Sequence, residues 1–398
     1  MSDRTLFNVI IPTRERADTL HHCLRTIVAQ DYDRLRIIVS DNCSEDTTQA
    51  VVDDFPDPRI TYLRTPRRLS MSKNWEFALG AVASGWVTYL GDDDGLFPNA
   101  LEKMDSLIRG HDVMAITSVA SAFVWPGHFA HAPDGSIEIP VERRDRVYDA
   151  PSQLAACLSG RLDYRKLPWL YNGGTAKLDL INQCRRVDGT FFGSQIPDLY
   201  SAVALASVAN RYLLTSQPFA MNGASLHSTG VSHVASTKSS TSAGPGHRFA
   251  QENDIEFHPC LRPGKSLQII LYECYLQSMH LAGKRKTTVL VEQLKIAVSV
   301  APARIKASVV KQCAEIAELN GLSPDIRRRF SIRAYSQLLR HIDRLFCIFI
   351  NPKKSNVATI YDAVAFAAQL KQRMSNDRLM AAKLLVKGIA LRLLRKLA

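Results

Sequence analysis

Three consecutive aspartates, Asp92, Asp93 and Asp94, stand between Gly91 and Gly95 directly after the apolar run 86–90. Neighbouring carboxylates at the end of a strand repel one another unless a cation or hydrogen-bond donors offset their charge. Hard divalent ions such as Mg²⁺ or Mn²⁺ take carboxylate oxygens and keep positions open for phosphate, so a metal-bound diphosphate suits this cluster; a polar turn before the helix at Pro98 is the plainer reading. Asp41 ends a second apolar run, where a carboxylate accepts from a base N–H or a ribose hydroxyl, or caps the helix that follows. After the first such run comes Pro12-Thr13-Arg14-Glu15-Arg16, with guanidinium groups that suit phosphate. Arg67, Arg68 and Lys73 put positive charge at the start of a further helix, which favours an anion there.

The elements that must hold these residues alternate between two periods. Runs 7–11, 36–40, 60–63, 86–90 and 112–117 read as strands, and 18–30, 45–54, 70–83 and 100–109 as helices, with Leu20, Leu24 and Ile27 on one face of the first. Strands alternating with helices of this length predict a mostly parallel α/β sheet flanked by helices, with ligands at the carboxyl ends of the strands. Residues 120–170 are less regular and read as an insertion. A helix is expected to start at Pro197, a Ser/Thr/Gly-rich stretch at 228–247 reads as a linker, and the chain beyond 264 reads as helical.

Taken together, the strand with residues 12–16, the stretch 38–46, the stretch 71–75 and the stretch 85–94 resemble, in order, the motifs of family two inverting glycosyltransferases with the A-type nucleotide-sugar fold. The resemblance is good for residues 5–120, extends to about 235 and is absent beyond about 260. It implies that Asp41 contacts the nucleoside, that Pro12, Thr13, Arg14 and Glu15 line the donor pocket, and that Lys73 stands near the base where the family often has Arg. Asp92 and Asp94 resemble the ends of the D-x-D metal motif, Asp94 binding the ion directly, and the extra Asp93 leaves the register open by one residue. Residues 193–200 resemble the segment that carries the general base, which implies that role for Asp198, although Pro197 stands where the family commonly has a paired acid. His227 lies where the fold often supplies a histidine to metal or diphosphate, with His233 second. Mn²⁺ or Mg²⁺ is the implied cofactor, a nucleoside-diphosphate sugar (UDP by family habit) the donor, and a hydroxyl of a glycan or glycolipid the acceptor.

The charge is uneven. Residues 1–258 hold 25 Lys and Arg against 30 Asp and Glu, a net of −5, and residues 259–398 hold 25 against 8, a net of +17; together these give the chain's +12. The expected organisation is therefore a nucleotide-sugar-binding domain over 1–258 and a basic, mainly helical region over 259–398. The basic region suits an acidic membrane surface or glycan, and nucleic acid is not expected; a solvated basic face or packing on the first domain competes with these. Residues 381–398 read as a basic amphipathic helix with a blurred apolar face. With no apolar run near the ~20 residues of a membrane span, no signal-peptide-like opening and eight scattered cysteines, a cytoplasmic protein, peripheral at the inner membrane face at most, is expected. Two rival functions differ in observable ways. A nucleotidyltransferase making the activated sugar shares the sheet, but usually carries a Gly-rich first loop, and 12–16 contains no Gly. A non-enzymatic module binding acidic polymer or lipid through 259–398 would leave every donor untouched.

Overall fold

In the computed structural model the described residues are 4–127, 133–226, 251–284, 290–323, 346–351, 357–377, 380 and 382–386. Strands β1 (Phe7–Thr13), β2 (Leu35–Asp41), β3 (Ile60–Arg64) and β4 (Trp86–Tyr89) alternate with helices α1 (Ala17–Val28), α2 (Thr48–Asp53) and α3 (Met71–Leu79). Then follow β5 (Gly95–Leu96), α4 (Ala100–Gly110), β6 (Ala115–Ser118), β7 (Ser121–Val124), β8 (Ile137–Pro140), β9 (Arg146–Asp149) and α5 (Ala150–Leu158). The next group is β10 (Thr175–Lys177), α6 (Leu178–Gln183), α7 (Pro197–Val208), β11 (Arg211–Thr215) and β12 (Ala220–Ala224). The remainder is α8 (Leu267–Gln277), α9 (Leu290–Val300), α10 (Lys306–Leu319), β13 (Cys347–Ile350) and α11 (Ile360–Asn376).

Among the described residues the main sheet runs β3-β2-β1-β4-β10-β6-β11-β9. Its first four strands are parallel, with Thr13 opposite Asp41 and Ile10 opposite Tyr89, so the loops after β1, β2 and β4 meet at one edge. This is the A-type α/β fold expected from sequence. The sheet is mixed: β6 and β11 run in the direction of β1 to β4, as a mostly parallel sheet requires, while the short β10 between β4 and β6 and the edge strand β9 run antiparallel to them. A second sheet, β13-β8-β7-β12-β5, has the strand that follows the aspartates, β5, at its edge. Its strands β7 and β8, with β9, fall in the stretch 120–170 that sequence left irregular.

Local sequence accounts for the helices that matter most here. Leu20, Cys23, Leu24 and Ile27 recur at helical spacing on α1 and are fully buried. Ser70 caps α3, its hydroxyl accepting from the Lys73 amide at 3.4 Å. Pro197 opens α7 at a position where its missing N–H costs nothing.

Among the described residues beyond 258 the chain is mainly helical, as expected, with β13 as an exception. Its Ile-Phe-Ile run pairs antiparallel with β8, Ile348 opposite Ile139 and Ile350 opposite Ile137. One hydrophobic core joins Trp75, Tyr89 and Tyr200 to Tyr272, Leu294 and Ile316 of the C-terminal helices, and another joins Phe123 and Ile137 to Ile348, Ile360 and Val364. Residues on both sides of 258 thus share their cores. No helix among the described residues is long and apolar enough to cross a membrane.

Candidate functional site

At the end of β2, Asp41 is fully buried and held by three donors: the Ser44 amide at 2.9 Å, the Tyr62 hydroxyl at 2.6 Å and Arg64 at 3.0 Å. Tyr62 and Arg64 come from β3 and were missed in the sequence. They alternate at the carboxyl end of the strand beside β2, with Arg64 in register with Asp41, which is the signal that could have found them.

The loop after β1 divides its residues among different tasks. Thr13 is buried. Glu15 takes a left-handed backbone, φ 53°, and its carboxylate accepts from the amides of Glu45 and Asp46, each at 3.1 Å, and from Arg68 at 2.8 Å. It therefore braces the β1 and β2 loops against each other. Arg14 pairs with Glu252, and Lys73 with Asp254, both acids arriving from the segment after 250. Arg16 reaches the triplet, Nη1 to Asp92 Oδ1 at 2.8 Å, with the Asp92 side chain 2% exposed. Its guanidinium is held charged by Asp92 and Asp93 in spite of burial.

The three aspartates are all buried but differently employed. Asp94 Oδ1 accepts from the Gly223 amide at 2.7 Å and Asn222 Nδ2 at 3.1 Å, and Oδ2 accepts from the Gly91 amide at 2.9 Å. The Tyr171 hydroxyl also donates to it. Burial and the charge of Asp93 push the Asp94 carboxyl up to about 8, against the pull of these donors. Asp93 accepts from the Ser225 hydroxyl at 2.6 Å, and its carbonyl takes the Trp125 indole N–H at 2.9 Å. Burial raises the Asp92 carboxyl, and Arg16 works in the opposite sense. The loop has no slack at its far wall: a Cβ on Gly223 would lie 1.9 Å from the Asp93 carbonyl oxygen and 2.6 Å from Trp125 Nε1. Gly223→Ala is accordingly expected to destabilise the fold by about 1–3 kcal/mol through overpacking against backbone. A wild-type melting temperature for that variant would show that the acid loop can move aside.

Asp198 is half-buried in the first turn of α7, where burial pushes its carboxyl up to about 6 while the Leu199 amide and the Tyr164 hydroxyl favour its charged form. The Tyr171 hydroxyl donates to Asp94, and burial together with the charges of Asp94 and Asp93 pushes its phenol well above its ordinary range. Tyr171 and Gly223 became site residues only through contacts that span the chain, for which the local sequence holds no signal. His227 and His233, like the 228–247 linker, lie outside the described residues, as does 381–398 except for 382–386.

The loops at the carboxyl ends of β1, β2 and β4, with a buried acid after β2 and an acid cluster after β4, lie within a segment that a known family matches. Residues 8–158 match the family described as Glycosyl transferase family 2. Over this segment the chain is similar to that family. The chain is similar to the succinoglycan biosynthesis protein ExoO of Rhizobium meliloti, 28% identical over 95 residues, covering 24% of this chain and 27% of that one. It is also similar to the GalNAc(5)-diNAcBac-PP-undecaprenol beta-1,3-glucosyltransferase of Campylobacter jejuni, 36% identical over 100 residues, 24% of this chain and 32% of that one. These matches thus span about a third or less of the relatives' length. Among solved structures, S. aureus TarS 1-349 in complex with UDP-GlcNAc overlaps 84% of this chain and 91% of its own, with TM-score 0.46 and 16% identity.

The donor chemistry of the acid loop fits a hard divalent cation in part. The three side chains offer only carboxylate oxygen, which suits Mg²⁺ or Mn²⁺. Asp94 carries two donors on Oδ1 and one on Oδ2, which leaves its oxygens less room for an ion. Among the described residues no three His, Cys, Asp or Glu side chains converge as a ready metal cage. A metal here would draw on Asp92 and Asp93 and complete its shell with diphosphate and water.

Proposed function

We propose that the protein is an inverting transferase that moves a sugar from a nucleoside-diphosphate donor, UDP first among the nucleotides to test, to a hydroxyl of a glycan or glycolipid. The observation that supports this reading is the pair of buried acid sites, Asp41 after β2 and the triplet after β4, brought to one edge of the sheet within the segment that matches family 2. Inversion needs one base opposite one leaving group; on this reading Asp198, half-buried in the first turn of α7, is the base, and the acid loop after β4 faces the leaving diphosphate.

On this reading Asp41, steadied by Tyr62 and Arg64, accepts from the nucleoside. Arg14 and Lys73 flank the donor, and Arg16 keeps Asp92 oriented beside the diphosphate. Asp198 takes the proton of the acceptor hydroxyl as its oxygen forms a bond to the anomeric carbon. The carbon–oxygen bond to the diphosphate breaks on the opposite face, so the anomeric configuration inverts. Asp92 and Asp93 are the residues that would hold Mn²⁺ or Mg²⁺, with Asp94 bracing their loop. When bound, such an ion neutralises charge on the departing diphosphate.

The test is a melting screen of the full chain with UDP, GDP and dTDP sugars, with and without Mn²⁺. One nucleotide series is expected to raise the melting temperature by a few degrees, consistent with the ~2.7 kcal/mol that a ligand at 100 times its Kd contributes, and EDTA to reverse the gain. A flat response to every donor would overturn the proposal and favour a non-enzymatic module.

A further inference from the structure

We propose that Glu76, on the donor-side helix α3, is the positioning residue that sets Asp198 at its working distance from the donor; this rests on the reading of Asp198 as the base. Helix α3 is locked to the nucleotide half of the sheet. Asn74 accepts from the Ser40 hydroxyl at 2.8 Å, next to Asp41. Trp75 stacks on Tyr89 of β4 with centroids 4.2 Å apart and planes 4° from parallel, and the Tyr89 hydroxyl donates to the Trp75 carbonyl at 2.7 Å.

From the next position Glu76 reaches across to the loop that leads into α7. Its Oε2 accepts from the amides of Phe191 and Phe192, at 2.8 and 2.9 Å, and its Oε1 from Arg185 at 2.9 Å. One turn earlier on the same helix, the Ser72 hydroxyl donates to the Ser194 carbonyl at 2.6 Å. The Phe192 ring completes the grip, standing edge-on to Trp75 at 5.6 Å and to Tyr89 at 5.7 Å. Residues 191–196 belong to no helix or strand, and Phe191 and Phe192 are buried, so their amides need partners that the loop itself does not supply. A carboxylate accepting two adjacent amides is a strong and directional partner. The loop's other flank is tied to the C-terminal region, where the Ser194 hydroxyl bonds the buried Glu273 and Gln195 Nε2 donates to the Ile255 carbonyl at 2.9 Å.

Asp198 lies two residues beyond this clamped loop. The span between donor helix and base is therefore set by Glu76 and Ser72, and a displacement near 1 Å at the reacting groups costs on the order of 10²-fold in rate.

The experiment uses the full chain and the nucleotide sugar selected by the donor screen, with water as acceptor and nucleoside-diphosphate release as the readout. Glu76→Ala is expected to lower kcat at least tenfold with the donor KM within twofold. Hydrogen exchange at the Phe191 and Phe192 amides should rise with it. Glu76→Gln, whose amide oxygen still accepts from both amides, should stay within threefold of wild type. A Glu76→Ala enzyme with kcat within twofold of wild type overturns the proposal, as does a Glu76→Gln enzyme equally impaired. If Glu76→Ala fails to fold, Ser72→Ala takes its place: loss of kcat at unchanged donor KM supports the clamp, and unchanged kcat sinks it. Asp198→Asn, run alongside, separates the two readings. An active Asp198→Asn removes the base whatever Glu76 does, whereas an inactive one beside an unimpaired Glu76→Ala removes only the clamp. Wild-type chain that releases no nucleoside diphosphate from any donor overturns both.

Discussion

Asp198→Asn should lower kcat by about 10²–10⁴-fold, the range a positioned general base contributes, while the donor KM stays within twofold. The substitution keeps the shape of the side chain and removes its ability to take a proton. Burial pushes the Asp198 carboxyl up to about 6, with the Leu199 amide, the Tyr164 hydroxyl and Arg165 pulling the other way. The base works only when ionised, so kcat should climb with pH on a limb centred near 6. Tyr164→Phe deletes a donor that favours the charged form, and the limb should move to higher pH. Stability moves in the opposite sense to activity. A carboxyl that holds its proton more tightly in the folded chain than its ordinary 3.8 contributes stability at pH values below about 4, and this is lost as pH rises through about 6. Neutral Asn escapes that cost, so Asp198→Asn should melt no lower than wild type at pH 7.5. An inactive variant that melts as well as wild type cannot be dismissed as unfolded. Full turnover in Asp198→Asn, or an acid limb centred near 4, would remove the assignment.

The first half of the sheet was legible because its strands are short apolar runs in sequence order, separated by helices whose apolar residues recur every three or four positions. β1, β2 and β3 pair with their neighbours in the chain, and β4 joins the other side of β1, so each strand could be read from its own period. β10 was not legible: three residues after two glycines become a strand only because the gap between β4 and β6 accepts them. β13 carries a strand-like Ile-Phe-Ile run, yet its partner β8 lies some 200 residues earlier, and the helical pattern around it dominated the local reading.

The site divides along the same line. That Asp92, Asp93 and Asp94 form an acidic loop follows from three adjacent letters and the strand before them. Which oxygens remain for a ligand depends on Asn222 and Gly223, about 130 residues away, and these commit Asp94 to the scaffold. Glu15 shows the same limit in a motif that matches: its carboxylate is placed by the amides of Glu45 and Asp46, which no spacing within 12–16 reveals. Charge, too, separated what packing joins. The excess of Lys and Arg begins after 258, but the buried faces of α8, α9 and α10 complete the core that holds Trp75, Tyr89 and Tyr200.

The second large effect follows from that shared packing. A chain cut after residue 346 should fail to fold, although the family 2 match ends at 158. The cut removes β13, the partner of β8, and α11, which packs on α1 and β5. It strips from the core Ile348, Phe349, Ile350, Ile360, Val364 and Leu370, all buried. At roughly 1.5–3 kcal/mol for each such side chain, the loss is on the order of 10 kcal/mol, as large as the net stability of an ordinary domain. It also bares the edge of β8, a ready template for aggregation. The damage reaches the site directly. A Cβ on Gly95, the residue after Asp94, would sit 3.0 Å from Ile360 and 3.1 Å from Val364, so α11 forms the floor under the acid loop. Expression of the 1–346 chain should give insoluble protein, or soluble protein without a cooperative melt and without a donor-induced shift. A truncated chain that melts cooperatively near the wild-type temperature would show instead that the two sheets and the acid loop stand without their C-terminal strand and helix.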